Sequence, residues 1–106
     1  MTITARASNH DWLAQTTETA LEPDLPICDP HHHLWVHRPG AVQTRYVLDD
    51  MLDDLAGGHN IVSTVFIECG AEFKADGPEA LRCVGETEFV RNVAEAAEAR
   101  ARTRKK

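Results

Sequence analysis

The sequence predicts an α/β fold of about two parallel strands with flanking helices, and three observations carry that expectation. The segment Ile61-Val62-Ser63-Thr64-Val65-Phe66-Ile67 is β-branched, aromatic and nearly continuous in its apolar character, the pattern of a strand buried on both faces of a parallel sheet. Ahead of it, Leu48, Met51, Leu52 and Leu55 recur at helical spacing, with Asp49, Asp50, Asp53 and Asp54 on the opposite side. Turn and stop signals divide the chain into helix, strand, helix, strand and helix, the opening of a βαβα series with right-handed crossovers.

Taken in order, residues 1–9 read as a flexible N-terminus whose Asn9 can cap a helix that carries Trp12 and Leu13 and fades by Leu21. Glu22-Pro23-Asp24-Leu25-Pro26 stops it, because each proline fixes its own φ and biases its predecessor away from the α region. A first strand over Ile27-Cys28-Asp29 follows. The acidic amphipathic helix begins near Tyr46 and ends at Gly57-Gly58, and Gly70 closes the second strand. A loop through Asp76-Gly77-Pro78 leads into a last helical stretch that begins between Glu79 and Glu86. Residues 10–90 thus form one unit, while residues 91–106, rich in Ala, Glu and Arg, form a basic, solvated tail that is helical or disordered.

Composition narrows the function classes. At 106 residues, with 42% hydrophobic and 26% charged residues, the chain has the make-up of one small globular domain. A net charge of −6 argues against nucleic acid as a partner, since phosphate recognition needs a concentrated basic surface. No apolar run approaches the roughly 18 residues that span a bilayer, so no membrane partner is expected and a cytoplasmic location is the default. Cys28, Cys69 and Cys83 form no CxxC pair and are odd in number, which favours reduced thiols. Cys28 and Cys69 lie in or beside apolar runs and are expected to be small buried hydrophobes.

The chemistry concentrates in Asp29-Pro30-His31-His32-His33-Leu34-Trp35, at the C-terminal end of the first strand. In extended backbone, residues i and i+2 project to one side, so His31 and His33 can converge on a single point while His32 turns away. Two neutral imidazoles side by side suit zinc or a similar divalent ion, provided a carboxylate or carbonyl orients each ring's second nitrogen. Three consecutive histidines are equally the mark of a polar loop or a tag-like chelating surface, and HxH alone is a weak motif. Its position after a strand that opens a βα series strengthens it, because ligands in such folds sit beyond the carboxyl ends of the strands. His37, beside Arg38-Pro39-Gly40, reads as a surface residue.

The segments ICDPHHHLW, RYVLDDMLDDL, GHNIVSTVFIECG and ADGPEALRCVGETEFV together resemble the start of the amidohydrolase-2 family of TIM-barrel hydrolases, the branch that includes sugar and dicarboxylate lactonases. The resemblance spans roughly residues 10–90 and implies that the fold is the N-terminal portion of a (β/α)8 barrel. It carries the family's metal-binding HxH onto His31 and His33. It also implies hydrolysis of a cyclic ester or amide in a small-molecule substrate, with a divalent metal, zinc foremost, supplying Lewis-acid activation and a carboxylate taking the proton. Some lactonases of the same branch work without a metal, and related groups decarboxylate instead.

Glu68, at the end of the second strand, emerges at the same sheet edge if the strands are parallel, either as a catalytic or ligand-orienting carboxylate or as a surface ion-pair residue. Asp29 either holds a histidine in one tautomer or caps a turn, and Trp35 either walls the substrate pocket or fills core. The family completes its metal site with histidines and an aspartate from later strands, and a closed barrel takes about 250 residues. A truncated or frameshifted frame, inactive alone, is therefore the expectation. The competing expectation is a small non-catalytic module in which the histidines chelate a metal or the acidic helix docks a partner.

Overall fold

The computed structural model describes residues 10–41 and 43–104. Along the chain lie α1 (His10–Leu13), β1 (Pro26–His32), α2 (Leu48–Leu55), β2 (Asn60–Phe66), a single 3₁₀ turn at Glu79–Leu81, and α3 (Val84–Arg104). β1 and β2 pair in parallel, so the strand, helix and strand expected between residues 27 and 67 form one parallel unit with α2 as its connection. The expectations placed on residues 1–9, Asn9 included, and on Lys105 and Lys106 lie outside the described residues.

β1 is longer than its apolar core suggests, because the pairing continues from Asp29 through Pro30 to His32. Four residues of β1, Asp29 to His32, match three of β2, Thr64 to Phe66. The extra residue sits where Pro30 can donate nothing to a ladder, a usual place for a bulge. Ile67 N–H then donates to the His32 carbonyl at 2.9 Å, holding the two strands together one step beyond β2.

α2 follows the predicted spacing. Its first turn is tied by the Asp50 carboxylate, which accepts the Val47 N–H at 3.0 Å, and acidic residues at this end also complement the helix dipole. α3 runs unbroken from Val84, so the Ala/Glu/Arg-rich stretch is helical as far as Arg104.

Three expectations are corrected. The first helix does not reach Leu21 but ends at Leu13, since Trp12 is 70% exposed and, among the described residues, no other element packs on the helix to offset the cost of nucleating it. β2 is not buried on both faces: Val62 is 63% exposed, because α3 stands off the sheet across an open groove of about 620 Å³, and Val65, which does not line that groove, is also exposed. Cys28 is exposed rather than buried, while Cys69 is half-buried. The buried residues among those described are Leu34, Leu48, Ala71, Gly85 and Glu86, and all but Leu48 gather around the C-terminal edge of the strand pair.

Candidate metal centre

At the end of β1 the His31 and His33 rings meet edge to face, with their Nε2 atoms 2.9 Å apart. His33 Nδ1 lies 2.8 Å from the Ile67 carbonyl oxygen, which can only accept, so Nδ1 carries the proton and a neutral His33 turns its Nε2 lone pair toward His31. This is the orienting contact that a ligand histidine needs, made by a backbone carbonyl at the end of the neighbouring strand. Two nitrogens each about 2.0–2.1 Å from a tetrahedral zinc are separated by roughly 3.3 Å, so to hold one ion the pair must part slightly, lose the proton between the two nitrogens and turn both lone pairs to a common point.

His32 turns the other way, onto the edge of Phe66 with ring centroids 5.6 Å apart. Its Nδ1 is buried with no partner among the described residues. Burial lowers its pKa, opposed by the Asp29 carboxylate. His37 is exposed, as expected of a surface residue.

A cavity of about 440 Å³ opens beside the pair, walled by Asp29, Trp35, Tyr46 and Asp54 together with the histidines. Trp35 lines this cavity and is half-buried. Its backbone pairs with Tyr46 in both directions at 2.9 and 2.8 Å, and its indole N–H donates to the Gln43 carbonyl at 2.9 Å. The Arg38 guanidinium stacks 5.3 Å from the indole centroid. Asp29 caps a turn, its Oδ1 accepting the His31 backbone N–H at 3.1 Å. Glu68 is exposed and stands apart from the residues that line this cavity, and the orienting of His33 falls to Ile67.

Tyr46, Ile67 and Glu86 shape the site without having been singled out. The Tyr46 hydroxyl donates to Asp54 Oδ2 at 2.5 Å, and burial, followed by that bond and the Asp54 charge, pushes its pKa up. The helical phase of α2 fixes Asp54, but only the hairpin from Trp35 to Tyr46 brings the phenol over it. Glu86 Oε2 accepts two backbone N–H groups of the loop after β2, from Ala71 at 2.7 Å and Cys69 at 3.0 Å. Burial, with the Glu86 charge beside it, raises the Cys69 thiol.

Among the described residues no group of three or more His, Cys, Asp or Glu side chains is arranged to hold a metal ion. The pair is thus two imidazoles, one of them pre-oriented, at a cavity mouth. No described helix is long and apolar enough to cross a membrane. Compared with known proteins, the chain matches no family model, no curated protein and no solved structure.

Proposed function

We propose that this chain supplies the first metal-binding half of an amidohydrolase-like hydrolase acting on a cyclic ester or amide, with His31 and His33 as metal ligands. The observation that carries the reading is the convergence of the two Nε2 atoms at 2.9 Å while Ile67 holds His33 Nδ1. The parallel strand pair supports it, because His31 and His33 stand at the carboxyl end of β1, beside a cavity that runs back between the strands and α2 to Ile61 and Met51. A divalent metal bound there supplies Lewis-acid activation of carbonyl and water. The chain's own groups bind and orient: Trp35 and Tyr46 wall the cavity, and His33 presents its lone pair without a tautomer change. His31 has to move its proton to Nδ1 before its Nε2 can coordinate. Catalytic zinc takes about three protein ligands, so the remaining ligands come from outside the described residues.

The second reading, a non-catalytic metal-binding module, is favoured by the absence of a third ligand among the described residues. Calorimetric titration with zinc at neutral pH tests the shared premise. Weak binding is expected in the wild-type chain, lost in His31→Ala/His33→Ala, retained in His32→Ala/His37→Ala, and fading on acidification because imidazole must be neutral to coordinate. Equal loss in both double variants would show a tag-like chelator and remove the reading. Turnover of a lactone or amide by this chain alone, abolished by His31→Ala, would show instead that the site is already complete.

A further inference from the structure

The buried carboxylate of Glu86 has no part in ligand binding, yet it is the strongest polar anchor near the histidine pair. It is 5% exposed, and both of its bonds to the Cys69 and Ala71 amides end on one oxygen, Oε2. Such charge-assisted bonds are stronger than neutral ones, and losing the acceptor leaves two amides without a partner in a desolvated place.

The helix that carries Glu86 is itself fixed against the loop. Gly85 is buried, and a Cβ there would collide with the Glu72 carbonyl and lie 2.8 Å from the Lys74 nitrogen, so α3 meets the 72–74 backbone with no room for a side chain. On its other side the loop grips the end of β1 at three points. Ile67 N–H donates to the His32 carbonyl at 2.9 Å, Cys69 Sγ contacts the Leu34 carbonyl at 3.5 Å, and Ile67 O accepts from His33 Nδ1 at 2.8 Å. A single residue, Glu68, separates the Glu86-held amide of Cys69 from the Ile67 carbonyl that sets the His33 ring.

We propose that Glu86 is a positioning residue for the histidine pair: by holding the Cys69 and Ala71 amides it fixes the strand-end loop whose Ile67 carbonyl selects the Nδ1–H tautomer of His33. The proposal rests on the reading of His31 and His33 as metal ligands for its importance to function, but not for its own test. It assigns the carboxylate an acceptor's role, so an amide oxygen in the same place serves as well.

The test uses the whole chain, free of metal, with the His33 tautomer read from its ring nitrogen-15 shifts, followed by titration with zinc. The wild type is expected in the Nδ1–H form, Glu86→Ala in a tautomer mixture with zinc affinity lowered roughly tenfold, the low end for lost outer-shell partners. Glu86→Gln is expected to restore both. Leu48→Ala, which removes a buried side chain of α2 away from the loop, should lower stability and leave the tautomer unchanged. Where Glu86→Ala does not fold, Glu86→Asp, one methylene shorter, takes its place in the comparison. The wild-type tautomer persisting in Glu86→Ala or Glu86→Asp, Glu86→Gln failing as Glu86→Ala does, or Leu48→Ala shifting the tautomer equally, overturns the proposal. If the wild type binds no zinc while Glu86 still governs the tautomer, the metal-ligand reading falls and the positioning role stands.

Discussion

Leu34, just past the end of β1, is 1% exposed, whereas Val62 in the middle of β2 is 63% exposed. Both are aliphatic residues in or next to one small sheet, and the sequence marks Val62 as the better core candidate because it sits in the longer apolar run. The difference is in what covers them. The loop after β2 folds back over Leu34, held by Glu86 from α3, while the groove under α3 leaves the sheet face open. Close packing in this chain is concentrated where the histidines are oriented, not where the apolar side chains are most numerous. A ligand pair needs its supporting shell more than its sheet needs a lid, since a ring held loosely loses its tautomer and direction.

The contrast is most easily broken through Leu34. Leu34→Ala should cost about 2–5 kcal/mol, the range for deleting a fully buried leucine, and Val62→Ala should stay within roughly 0.5 kcal/mol as a mostly exposed change. Urea denaturation of the two variants, compared at equal m, measures both. Similar losses would mean that the strand-end cluster is not the stabilising centre.

How much of this was legible follows from the range of the interactions involved. The phase of α2 and the strand over residues 61–66 are written in local periodicity, and the structure has both. The convergence of His31 and His33 follows from strand alternation, and it survives the register shift between Asp29 and His32. The partner of His33 was not legible, because a backbone carbonyl has no side-chain signature and Ile67 stands 34 positions away. Glu86 was hidden for a related reason: in sequence it is an acid in a helix's first turn, and only the return of the loop makes it an acceptor for two distant amides. The overlong first helix and the two-sided burial of β2 failed together, since local pattern cannot say whether a covering layer arrives.

Thiol chemistry sharpens the same comparison at smaller scale. Cys28 lies exposed on the sheet, while Cys69 lies in the packed loop, where burial and the Glu86 charge raise its pKa. The thiolate is the reactive form, so Cys69 should alkylate several-fold more slowly than Cys28 at mildly alkaline pH, with the difference vanishing in denaturant. Because the folded state favours the neutral thiol, its contribution to stability is present below the thiol's ordinary pKa and is lost as pH rises through the raised folded value. Mass-spectrometric labelling kinetics decide the matter, and equal native rates would remove the claim that the loop is desolvated.

The smallest expected effect lies at the far end of α3, where Arg100 pairs with Asp49 of α2. This ion pair joins the outer half of the helix to the rest of the described chain, and on its face it contradicts the picture of an open groove. Both side chains are largely in water, Arg100 at 49% and Asp49 at 75% exposed, so Coulomb attraction is screened and the entropy of holding two long side chains opposes it. The neighbouring pairs Arg91 with Glu95 and Arg102 with Glu98 lie within the helix and stabilise only its own turns. A double-mutant cycle with Asp49→Ala and Arg100→Ala should give a coupling of no more than about 0.5 kcal/mol, shrinking further in high salt. A coupling above roughly 1 kcal/mol that survives added salt would be too large for an exposed pair. It would mean that α3 is anchored along its whole length, and the packed strand end would then be one of two fixed points instead of the single one on which the orientation of His33 depends.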